Sequence, residues 1–134
     1  MLRALYMPVL VLGLSIGALP ADAQTTNARW QATPASVLKS TLRNVVAAQD
    51  SYRAKHGKYA GSLETLRVNG GPDVRIQIQA ATESGWRAKA THRTRPGRSC
   101  VVFVGKLRAG EAPRTDGDGE MAGEERVPLC DRME

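Results

Sequence analysis

The sequence predicts an α+β domain: one N-terminal amphipathic helix packed on a three- to four-stranded antiparallel sheet, with a C-terminal loop closed by a disulfide. Three observations predict it. Between Pro34 and His56, apolar residues recur at spacings of three and four. From Val74 to Ala90 they recur at a spacing of two. The chain's two cysteines, Cys100 and Cys130, both follow an N-terminal segment with the order of an export signal.

That segment begins with a short positive start at Arg3. An apolar run from Met7 to Leu19 follows, interrupted only by Pro8, Gly13, Ser15 and Gly17. Pro20 breaks any helix, and Ala21-Asp22-Ala23 places small residues where a signal peptidase reads. The expected organisation is a signal peptide over 1–23, a flexible leader over 24–33 and one domain over 34–134. The alternative to cleavage is a retained N-terminal anchor. No cysteine follows the apolar run, so a lipid anchor is not expected there. In an exported chain an even cysteine count reads as one disulfide, the alternative being two buried thiols. Closing a loop of this length stabilises a fold by about 3–4 kcal/mol in the chain-entropy model.

Thr33-Pro34 is a helix start, with Thr at the cap and Pro where a missing N–H costs nothing. Ala35, Leu38, Leu42, Val45, Gln49 and Tyr52 then form one face. Lys55 and His56 suit the negative end of the helix dipole, and Gly57 supplies a left-handed stop. Ser62 is placed to cap a short turn that points Leu63 and Leu66 inward. Asn69-Gly70-Gly71-Pro72 is a loop. A first strand should turn Val74, Ile76, Ile78 and Ala80 inward, with Arg75, Gln77 and Gln79 outward. After a turn at Glu83-Ser84-Gly85, Trp86, Ala88 and Ala90 should face in. Cys100 to Val104 reads as a more buried third strand, and short turns favour a meander. Ala109 to Glu125 has no periodicity and reads as a long loop, after which Val127 to Cys130 returns to the sheet.

The local wording within this order carries a pattern through five segments, each common alone and more specific in combination. Val46-Ala47-Ala48-Gln49-Asp50-Ser51-Tyr52 is followed by His56-Gly57-Lys58-Tyr59 and Ser62-Leu63-Glu64-Thr65-Leu66. Gly85-Trp86-Arg87-Ala88-Lys89-Ala90 and Cys100 come later. Over about residues 35 to 130 this resembles the type IV pilin and pseudopilin family. The resemblance implies a pilin-like head that acts by protein–protein contact in the envelope, in a pilus or secretion assembly. One departure matters. The family's stem is a long apolar helix after a Gly, with a Glu at its fifth position. Here Gly13 and Gly17 have no such segment after them, because Pro20 and Ala21-Asp22-Ala23 interrupt the run. The implied form is a head without its stem, released into the periplasm or beyond.

Candidate chemistry is sparse. No Gly-x-Ser-x-Gly elbow, Gly-x-Gly-x-x-Gly fingerprint or phosphate-binding loop occurs, so the expectation is a non-enzymatic protein without catalytic residues. A hydrolase would need His92 joined to a carboxylate in a pocket. The formal charge of +6 admits an alternative function, a polyanion-binding module for DNA or polysaccharide. Its residues would be Arg75, Arg87 and Lys89 on the outer sheet face, with Arg93, Arg95 and Arg98 at the next turn. Their bland role is a solubilising face. Asp116, Asp118 and Glu120 alternate in a Gly-rich loop, as hard oxygen ligands do. Some pseudopilins are similar in carrying calcium in their C-terminal loop, so calcium is the one cofactor considered, against a solvated acidic turn. Among the aromatic residues, Tyr52, Tyr59, Trp86 and Phe103 are expected in the core.

Overall fold

The computed structural model describes residues 32–108 and 110–133. The signal peptide over 1–23 and all but the end of the leader, Trp30 included, lie outside the described residues. Helix α1 spans Pro34–His56, and a single turn, α2, spans Leu63–Leu66. Four strands follow: β1 (Val74–Ala81), β2 (Gly85–His92), β3 (Ser99–Gly105) and β4 (Leu129–Cys130). They form one antiparallel sheet in the order β1-β2-β3-β4, so the chain is an α+β meander. No described helix is long and apolar enough to cross a membrane.

The ends of α1 follow from its sequence. The Ser36 N–H donates to Thr33 Oγ1 at 3.2 Å, and the Ser36 hydroxyl donates back to the Thr33 carbonyl at 2.9 Å. Gly57 sits at φ 73° and its N–H closes on the Arg53 carbonyl at 2.8 Å. Leu38, Leu42, Val45 and Val46 bury the helix face against Trp86, Ala88, Ala90, Cys100, Val102 and Val104. Fully burying each large side chain contributes roughly 1.5–3 kcal/mol. Gln49 is also fully buried in this stripe. Its amide both donates to and accepts from the Ala60 backbone, each at 2.8 Å. That pairing satisfies a buried polar group and fastens the post-helix segment to α1.

β2 alternates and β3 is the more buried strand, both as expected, but β1 does not alternate throughout. The register slips between Ile78 and Ala80, a bulge at Gln79. One extra residue reverses the alternation. Ala80, expected inward, is therefore exposed, and Ala81 packs on the core in its place. Ser62 occupies the cap position of α2 but makes no capping bond; its hydroxyl pairs with that of Thr65 at 2.8 Å. Gly85 and Gly105 face each other across β2 and β3. A Cβ on Gly105 would lie 2.0 Å from the Ser84 carbonyl, so glycine is required for this approach.

The disulfide joins Cys100 to Cys130, which stand opposite in the β3–β4 pair. Val127, expected to return with that strand, is instead 43 % exposed. The long loop is more ordered than its composition suggests. Arg114 and Met121 form an isolated bridge, flanked by bonds from Thr115 to Glu120 and from Ala122 to Pro113. This small lobe covers the outer face of β2 and β3, while Arg75 and Gln77 on β1 remain exposed. That is why Val101, on the side away from α1, is fully buried.

Candidate interaction surface

The lobe decides the fate of the charged residues. β2 places Arg87 and Lys89 on the outer face, opposite Trp86 and Ala88. That face was expected to be open, yet both side chains are half-buried beneath the lobe. Lys89 pairs with Asp116, and Arg98 donates to Asp118 at 3.0 Å. Arg87 donates to the Glu111 carbonyl at 2.5 Å. Arg93 pairs with Asp73 at 2.8 Å, and Arg95 donates to the carbonyls of Met133 and Thr94. Of the six basic residues, only Arg75 has no polar partner among the described residues.

The acidic alternation is spent on the same contacts. Asp116 serves Lys89; Asp118 serves Arg98 and accepts the Arg132 N–H at 2.9 Å. Glu120 lies at the lobe's exposed end, with its N–H on the Thr115 hydroxyl. Among the described residues no three His, Cys, Asp or Glu side chains converge as a metal would require. Two pairs, Lys89 with Asp116 and Arg98 with Asp118, join the basic cluster proposed from sequence to the acidic triplet proposed beside it.

Asp131, absent from the sequence reading, is the centre of this arrangement. Only 3 % exposed, it accepts N–H groups from Ser99 and Gly117 at 2.8 Å and from Asp118 at 2.6 Å. Burial alone would push its carboxyl up. The Thr115 hydroxyl and the three backbone N–H groups outweigh it, and the pKa falls to about 2. A residue just past a closing cysteine carries no motif that sequence could have read. The lobe is held a second time at its far end. Arg126 adopts φ 71°, rare for a side-chain-bearing residue, and both guanidinium nitrogens reach Asp50 on α1. The Asp50 hydrogen bond and charge hold the Arg126 guanidinium above its ordinary pKa.

Arg75, Arg93 and Arg95 still gather at a shallow cleft of about 410 Å³ at one end of the sheet. His92 and Asp73 share it. The Asp73 carboxylate is engaged by Arg93, and His92 Nδ1 is engaged by Thr94. No protein-family model matches this chain, and no curated protein matches it.

Proposed function

We propose that the chain is an exported, non-enzymatic, pilin-like head domain that acts by protein–protein contact in the cell envelope. One observation carries this reading. A long helix lies on an antiparallel meander whose C-terminal loop is closed by a disulfide on the last strand pair. That is the arrangement implied by the resemblance to pilins and pseudopilins. The apolar run that stops at Pro20 supports a head that works without a filament stem. Engagement of Lys89, Arg93 and Arg98 by carboxylates weighs against polyanion binding as the main role.

The test is site-specific photo-cross-linking of the exported protein in its own envelope. Reactive residues replace Ser51, Gln77 and Glu120 in turn, one on each exposed region. Discrete protein adducts from at least one position are expected. Adducts to nucleic acid or polysaccharide alone, or none from any position, would defeat the reading.

A further inference from the structure

The described backbone holds two non-glycine residues at positive φ, Arg67 and Arg126. Such a conformation costs on the order of 1–2 kcal/mol for a residue with a Cβ. For Arg126 the structure supplies a reason, its two-nitrogen contact with Asp50. Arg67 ends α2 at φ 55°, and its guanidinium has no acceptor among the described residues. The left-handed turn itself serves the helix end, where the Arg67 N–H closes on the Leu63 carbonyl at 2.9 Å, and it is the guanidinium that is left to meet a partner.

Arg67 stands at the rim of a groove of about 530 Å³ between the last turns of α1 and α2. Tyr52 and Leu66, both half-buried, give it an apolar floor. Lys55 and His56 line it with Arg67, and His56 stacks on Tyr52 with ring centroids 4.2 Å apart. Three other clefts each set at least one carboxylate among their cations: Asp73 in one, Asp50 and Glu125 in another, Glu111 in the third. No carboxylate lines this groove.

We infer that this groove docks an acidic peptide segment of a protein partner, one carrying an apolar anchor between carboxylates. The anchor covers Tyr52 and Leu66, and the carboxylates reach Lys55 and Arg67, where a bidentate pair is available. An apolar floor inside a cationic rim suits such a peptide better than a sulfated sugar or a nucleic acid backbone, which offers charge without an aliphatic group. The inference rests on the protein-contact function and names the partner's chemistry.

The probe is an acetylated peptide of glutamates interrupted by leucines at helical spacing, titrated into the isotope-labelled, disulfide-bonded exported protein. Amide shifts are expected at Ser51 to His56 and Thr65 to Arg67. The double variant Lys55→Glu, Arg67→Glu should weaken binding about tenfold, the sum of two partly exposed ion pairs. Arg75→Glu should leave it unchanged. Shifts centred on Arg75 and Arg93, or none, would overturn the groove. So would equal or tighter binding of a heparin fragment at the same residues, or concentration-dependent shifts without peptide, which would mean a second copy fills it. Cross-links to protein from Gln77 or Glu120 but none from Ser51 would sink the groove and leave the contact function standing. Absence of cross-links everywhere would remove both.

Discussion

The two faces of the sheet are closed by different physics. On the inner face Leu38, Leu42 and Val45 of α1 meet Trp86, Ala88 and Val102, all fully buried. Area and shape dominate there, with the Gln49 amide pair to Ala60 as the polar exception. On the outer face a Gly-rich lobe lies over Lys89 and Val101 and is held by directional bonds, most of them to Asp131, Asp116 and Asp118. Apolar burial is tolerant of pH and salt, whereas charged hydrogen bonds are not. The inner face should therefore set the magnitude of stability, and the outer face its dependence on conditions.

The largest expected effect follows from the inner face. Trp86→Ala removes the largest fully buried side chain and should destabilise the domain by about 4 kcal/mol. Denaturant unfolding of the disulfide-bonded protein measures it, and a loss below about 1 kcal/mol would mean the helix is not seated on the sheet as described. Next comes the bond that joins the faces at their margin. Replacing Cys100 and Cys130 together by Ala, which opens a separation of 30 residues, should cost about 3 kcal/mol. The same experiment reads it. The intact protein should show no titratable thiol under denaturing, non-reducing conditions.

Asp131 sharpens the contrast by acid. Its folded pKa, about 2, lies below the ordinary 3.8, so the folded state binds its proton more weakly than the unfolded state does. Its contribution is complete above pH 4 and is lost as pH falls through 2. The difference amounts to roughly 2 kcal/mol. Asp131→Asn sets an amide donor against three N–H donors, so it should remove a similar amount at neutral pH. It should also flatten the stability profile between pH 4 and 2. A steep acid loss that survives in the variant would assign that loss to other carboxylates.

The inner face was legible because its signals are local or periodic. Thr33-Pro34 and Gly57 bound α1 within its own sequence, and Leu38, Leu42 and Val45 mark the buried side. Trp86, Ala88 and Ala90 keep strict alternation, since β2 is central and has no irregularity. The bulge at Gln79 escaped because a period of two cannot register one inserted residue. The outer face escaped for a different reason. Lys89 and Asp116 are 27 positions apart, and Arg98 and Asp118 are 20 apart, joined only by the path of an aperiodic loop. Composition marks both sets of charges but does not say that they meet. Gln49 lies between these cases: its position on the helical stripe was plain, and its bond to Ala60 was not.

The smallest effect on stability is the most informative about function. Lys89 and Asp116 are 20 % and 38 % exposed, so Asp116→Asn should cost less than about 1 kcal/mol. The same change releases the Lys89 ammonium from its carboxylate while leaving the disulfide and Asp131 in place. If pairing is what keeps the basic face from acting as a polyanion site, the variant should leave heparin at higher salt than the parent, since each newly available cation adds to the salt dependence of binding. Adding Lys89→Met to Asp116→Asn should return elution to the parent position. Unchanged elution in Asp116→Asn would mean the lobe hides Lys89 by covering it rather than by neutralising it. The outer face would then be closed, like the inner one, mainly by shape.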